Sequence, residues 1–172
     1  MRCVERYGYK VPLVPAADLL LTCMNADTPR LSTNEAGAHH LNSVHGVYLT
    51  GPFRDLGREL LPLASLNSVT LLHAEMVGRA YGGGILKIEP READVWEVPS
   101  PALIEEHARK LRSAKSDVAG LLRSGKLLEA VRIIDQILLV DSGWVSSEQI
   151  EHIRQARTEL AHRRTVRAAS GR

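Results

Sequence analysis

The chain has 172 residues, 44% of them apolar and 24% charged, with a formal net charge of +2. That is the composition of a globular protein with one substantial core, and it excludes disorder throughout and a separate cofactor fold beside a second full domain. The apolar runs, such as Ala16 to Leu21 and Ile137 to Val140, fall far short of the roughly 20 residues that cross a bilayer, so no membrane span is expected. The N-terminus Met1-Arg2-Cys3-Val4-Glu5-Arg6 lacks the apolar region of a secretory signal, which points to the cytoplasm. Two cysteines, Cys3 and Cys23, are too few for a disulfide framework or a four-cysteine zinc site and are expected as thiols.

In chain order, Val11 to Val14 and Asp18 to Met24 read as short strands interrupted by Pro12 and Pro15. Asn42 to Thr50 alternates in strand fashion, with Val44, Gly46 and Tyr48 on one face, and stops at Gly51-Pro52. From Asp55 the spacing turns helical through Leu56, Leu60, Leu63, Leu66, Val69, Leu72 and Met76, with Pro62 expected to start or kink a helix reaching about Val77. Gly82-Gly83-Gly84 is expected to end that helix, followed by a short strand at Ile85 to Ile88 and a charged turn at Glu89 to Asp94.

Pro99-Ser100-Pro101 breaks the chain and opens a helix, with Ser100 as N-cap and Pro101 at the first position. Everything after Pro101 reads as helical: Pro101 to about Lys115, Lys126 to Val140, and a last helix opened by the Ser146/Gln149 capping box. The fold class is therefore α+β, a small mixed strand and helix domain over 1–99 followed by an all-helical segment over 100–172. Six arginines between His152 and Arg172 face only Glu159, a local net of +5, which leaves −3 for the rest and suggests a polyanion contact by this tail.

Two constellations invite a chemical reading and neither supports one. His39, His40 and His45 are close in sequence, but adjacent strand residues point to opposite faces, so they do not make a zinc site. The Gly82 to Gly84 run follows a helix and precedes a strand, the reverse of a phosphate-binding glycine loop, so a structural turn is expected. No nucleophile elbow or paired carboxylates appear, and neither a catalytic nor a metal-binding residue is expected in this chain.

Three segments carry a resemblance. They are Leu21-Thr22-Cys23-Met24 with Pro29-Arg30-Leu31, His40 to Leu49, and Leu66-Asn67-Ser68 with Gly78-Arg79-Ala80-Tyr81-Gly82-Gly83-Gly84-Ile85-Leu86-Lys87-Ile88-Glu89-Pro90-Arg91-Glu92-Ala93. Together, over about Lys10 to Pro99, they resemble the C-terminal, target-recognition region of bacterial adenine-specific (N-6) DNA methyltransferases of restriction–modification systems. The resemblance implies an enzyme whose other part binds S-adenosylmethionine and methylates an adenine flipped out of the duplex, while this part holds double-stranded DNA. The adenine pocket of that family needs an Asp/Asn-Pro-Pro-Tyr/Phe motif, and the eight prolines here never occur as a pair. The chain is thus expected to carry no cofactor and no catalysis of its own, and to depend on a separate or upstream catalytic domain.

Charge and loop position single out Arg30, Asn34, His39, Arg79, Tyr81 and Lys87 as DNA contacts, since arginine and asparagine can read base edges and lysine can fix register on phosphate. A competing reading is a helical protein-interaction module, a decayed methyltransferase that pairs through Leu127, Val131, Ile134 and Leu138, with Ile150, Ile153 and Leu160.

Overall fold

The structure is a computed structural model that describes residues 3–6, 9–12 and 14–170, with side chains from 14 to 166. Expectations for the side chains of Cys3, Arg167 and Arg172 lie outside the described residues. A hairpin of β1 (Cys3–Arg6) and β2 (Tyr9–Pro12) comes first. β3 (Leu19–Thr22) is then the centre of an antiparallel sheet, flanked by β5 (Leu31–Thr33) and β6 (Val44–Val47). Its period of two puts Leu19 and Leu21 in the core.

The strand expected over Asp18 to Met24 is realised as two. At Cys23 the chain leaves the β3 sheet, the Cys23 carbonyl accepts from the Ile88 amide at 2.9 Å, and β4 (Met24–Asn25) joins a different sheet. Acid stability is tied to β3 through Asp18, whose carboxylate accepts from Arg54 Nη2 at 2.7 Å and from the Leu49 amide at 2.9 Å. The Arg54 hydrogen bond, against the opposing effect of burial, holds the Asp18 carboxyl below its ordinary range. A depressed folded-state value stabilises the fold above the unfolded value and is lost as pH falls through the folded one. Urea midpoints should therefore fall below about pH 4, and Asp18→Asn should flatten that decline; an unchanged slope would remove Asp18 from the account.

The helical spacing from Asp55 to Val77 is two helices, α1 (Arg54–Ala64) and α2 (Ser68–Val77), bent by 84°. The break is not at Pro62. Pro62 sits in α1 without an N–H for the Arg58 carbonyl four residues back, and the Thr33 hydroxyl donates to that carbonyl instead at 2.7 Å. The corner is made by Asn67, which caps α2 by accepting from the Thr70 amide at 2.9 Å and donates to the Ala64 carbonyl at 2.8 Å.

The glycines do not end this helix. Gly78 does, and a β-carbon there would lie 2.7 Å from the Ala74 carbonyl. β7 (Arg79–Tyr81) follows, then a 3₁₀ turn at Gly82–Gly84, then β8 (Ile85–Lys87), so the glycines form the tip of a hairpin. Gly83 and Gly84 take φ of +76° and +78°, the region that glycine enters without a steric penalty. The segment expected as a charged turn is a helix, α3 (Pro90–Val95), opened by Pro90 and a reciprocal Glu89/Glu92 capping box.

The remaining helices are α4 (Pro101–Arg123), longer than expected, α5 (Leu127–Asp135) and α6 (Ser147–Ser170). α5 passes into a π-helical turn over Gln136–Val140 rather than running straight to Val140. Ser100 caps α4, and Ser146 and Gln149 exchange hydrogen bonds at the start of α6, as their spacing predicts. Helices on both sides of Pro99 share one core: Leu60 and Leu63 of α1 lie with Ile104 and Leu111 of α4 and Ile134 of α5. Ile134 and Leu138 are buried inside it, Leu127 and Ile153 pack against it and Val131 is buried as well, so the face assigned above to protein pairing is largely occupied by this chain itself. No single helix among the described residues is long and apolar enough to cross a membrane.

Candidate functional site

The antiparallel sheet β4-β8-β7 presents one face that is covered along β4 and β8 and exposed at Ala80 of the edge strand, and one open face. Asn25, Leu86 and Ala80 stand opposite one another in register, and Leu86 and Asn25 are buried. By alternation, Met24, Lys87 and Arg79 share the other face, followed by the Tyr81 and Ile85 pair. Met24 and Tyr81 are exposed there, and the Arg79 side chain is 63% exposed. Lys87 Nζ lies 5.3 Å from the centroid of the Tyr81 ring, within cation–π range.

Three of the six residues singled out by sequence, Arg79, Tyr81 and Lys87, are thus brought together. Two carboxylates from the α3 capping box fix them. Glu92 Oε1 accepts from Arg79 Nε at 2.8 Å and from Nη2 at 2.6 Å, and Glu89 pairs with Lys87. Burial raises the Glu92 carboxyl, but the Arg79 hydrogen bond and charge with the backbone donors prevail and bring it below its ordinary value. The Glu89 hydrogen bond raises the Lys87 ammonium and in return lowers the Glu89 carboxyl. The face is therefore almost charge-neutral, with Arg79 oriented by Glu92 and its Nη1 making no hydrogen bond among the described residues. Met24 and the two glutamates were missed in the sequence; the Glu89-Pro90-Arg91-Glu92 capping pattern was the signal that could have found the latter.

The other three residues lie elsewhere. Arg30 precedes β5 at the Leu21 end of its pairing, its amide donating to Thr22 Oγ1 at 2.9 Å and its guanidinium pairing with Asp27 at 3.2 Å. Asn34 follows β5 at the Leu19 end, about 13 Å along the strand at 3.3 Å per residue. It is buried, donates to the Ala17 and Ala38 carbonyls at 2.9 Å and accepts from the Ala38 amide at 2.9 Å, so both ends of its amide are engaged in holding a loop. His39 is exposed beside it, its Nδ1 2.8 Å from the Val14 carbonyl.

The expected basic tail is largely structural in its described part. Arg154 binds Asp135 and Glu151, Arg163 pairs with Glu159, and Arg164 is buried in an ion pair with Glu75. Arg157 is half-buried, with an Nε that finds no partner among the described residues. A cleft of about 760 Å³ opens between the β3 sheet and α3, bordered by His40, Tyr48 and Trp96. His45 Nε2 meets the Ile88 carbonyl at 2.7 Å, and the Trp96 indole donates to the Thr70 carbonyl at 2.9 Å.

The glycine run does not fit S-adenosylmethionine. Gly82–Gly84 join two strands of a hairpin instead of leading from a strand into a helix N-terminus, and the Gly84 carbonyl is occupied by Arg164 Nη1. No group of histidine, cysteine, aspartate and glutamate among the described residues is arranged to hold a metal ion.

Comparison with known proteins gives two matches. The family described as the C-terminal domain of the type II methyltransferase M.Eco57I matches residues 3–139, which includes the whole β4-β8-β7 face. The type II methyltransferase M.XamI of Xanthomonas campestris pv. amaranthicola is 35% identical over 99 residues, 56% of this chain and 18% of that protein. The matched stretch is thus less than a fifth of that relative. No solved structure matches.

Proposed function

Since the chain belongs to the family of type II methyltransferase M.Eco57I C-terminal domains, we propose that it is the DNA-holding, target-recognition portion of an adenine-N-6 methyltransferase of a restriction–modification system. The supporting observation is the open face that brings Arg79, Tyr81 and Lys87 together, with Arg79 and Lys87 held by Glu92 and Glu89. An adenine amino group is inaccessible inside a stacked duplex, so the enzyme must extrude the base while a second surface keeps the flanking DNA in register. Arg79, with its fork pre-set by Glu92, is suited to bidentate contact with a guanine edge. Lys87 exchanges Glu89 for a phosphate, and Tyr81 offers a ring for packing beside it. Arg30 and His39 extend the contact to either end of β5, whereas Asn34 acts by holding the loop that carries His39.

The methyl donor, S-adenosylmethionine, and the extruded adenine would be held by a catalytic portion outside the residues described here, on the same or another chain. This reading assigns no catalytic step to the present residues and places the protein in the cytoplasm. Its test is fluorescence anisotropy with a labelled duplex of mixed sequence across a salt series. Affinity should fall as salt rises, Lys87→Ala should lower the slope by about one, and Arg79→Ala with Tyr81→Ala should weaken binding at least tenfold. Absence of binding at low salt, or a double variant that binds like the parent, would overturn the assignment.

A further inference from the structure

We propose that Arg164 is a positioning residue, a buried latch that sets the geometry of both the β7-β8 hairpin and the loop carrying Arg30. The proposal rests on the DNA-binding reading for its functional consequence, although the latch itself does not. Arg164 belongs to α6, beyond the residues matched by the family. Its side chain is 5% exposed and that of its partner Glu75, on α2, is 2% exposed. Nε donates to Glu75 Oε2 at 3.0 Å and Nη2 to Oε1 at 2.9 Å, a bidentate pair. The same guanidinium donates through Nη1 to the Gly84 carbonyl and through Nη2 to the Asp27 carbonyl at 3.3 Å.

Those two carbonyls belong to the segments that carry the candidate contacts. The hairpin tip carries no side chain with which to pack, the space where a β-carbon would stand at Gly82 and Gly83 is open, and the tip is seated against α6. With φ positive at Gly83 and Gly84, the tip is drawn from residues with the widest choice of conformations. Anchoring the Gly84 carbonyl removes that choice at the start of β8, next to the Ile85 that pairs with Tyr81 and three residues before Lys87. Anchoring the Asp27 carbonyl fixes the residue whose carboxylate holds Arg30. One side chain from α6 thereby places both segments in a common frame. Lysine cannot substitute, because a single ammonium lacks the planar fork that reaches a carboxylate and two carbonyls together.

The latch is tested in the full chain with Arg164→Lys and Glu75→Gln, and with Arg163→Gln as a control, since Arg163 is 61% exposed and its ion pair among the described residues is with Glu159. The first readout needs no DNA. Amide hydrogen exchange over residues 80–86 and 26–30 should accelerate at least tenfold in both latch variants, while α4 keeps its protection and the control stays unchanged. The second is anisotropy with the same duplex: the latch variants should bind about tenfold more weakly with an unaltered salt slope, because a positioning residue neutralises no phosphate, whereas a direct contact would lower the slope by about 0.9. Exchange that is unchanged, or accelerated evenly over the whole chain in both variants, would overturn the latch, as would a reduced salt slope. If the parent chain binds no DNA while the local exchange response appears, the functional reading falls and the latch stands.

Discussion

Asp135→Ala is expected to destabilise the fold by about 3–5 kcal/mol, the cost of removing one partner from a buried ion pair. Asp135 is fully buried at the end of α5, where it accepts from the Ser68 amide and hydroxyl, each at 2.6 Å, and from Arg154 Nη2 at 2.8 Å. It thereby joins the N-terminus of α2, where a negative charge is favoured by the exposed amides, to α5 and α6. Without it the Arg154 guanidinium, three-quarters buried, loses its main counter-charge, and the first turn of α2 loses its acceptor. Asp135→Asn keeps the volume and an acceptor for Ser68 but not the charge, so it should fall between parent and alanine. Urea unfolding followed by circular dichroism decides this; a loss below about 1 kcal/mol would mean that water replaces the network.

Ile134→Ala should cost about 2–5 kcal/mol, from lost burial and the cavity left behind. Ile134 is fully buried on α5 among Leu60, Ile104, Leu111 and Leu138, residues drawn from both sides of Pro99. The variant therefore separates the two uses of this apolar face. If the face is an internal core, the unfolding midpoint drops and the association state of the folded protein does not change. Should light scattering instead show that a dimer dissolves while the midpoint holds, the face would belong to an interface between chains.

Of the segments that carried the family resemblance, Gly78 to Ala93 is the hairpin and capped helix on which the candidate face is built. The strand at Ile85 to Ile88 was legible there, but with the glycines read as a helix end its partner β7, and so the hairpin, was not. A glycine run states that tight backbone is needed without stating between which elements. The starts of α4 and α6 were readable because Ser100 and Ser146 cap through neighbours three residues away. Asn67 caps just as locally, through Thr70, but the apolar period running through it hid the 84° corner.

What the sequence determined by itself, then, was whatever depends on neighbours within a few residues: caps, turns, the α+β class, and the membership carried by contiguous motifs. Arg79, Tyr81 and Lys87 could be listed from charge and position, but that they share one face follows from the pairing of β7 with β8 and of β8 with β4. Arg164 and Asn34 show the limit most clearly. Arg164 stands in the arginine-rich stretch that reads as a polyanion-contacting tail, and it is buried because Glu75, 89 positions away, meets it across the α2–α6 contact. Asn34 reads as an exposed polar loop residue, and it is buried because the Ala17 carbonyl, 17 positions earlier, lies over it. A side chain's availability to a ligand is set by which distant groups consume its hydrogen bonds and counter-charge, and only the tertiary structure brings those groups within reach.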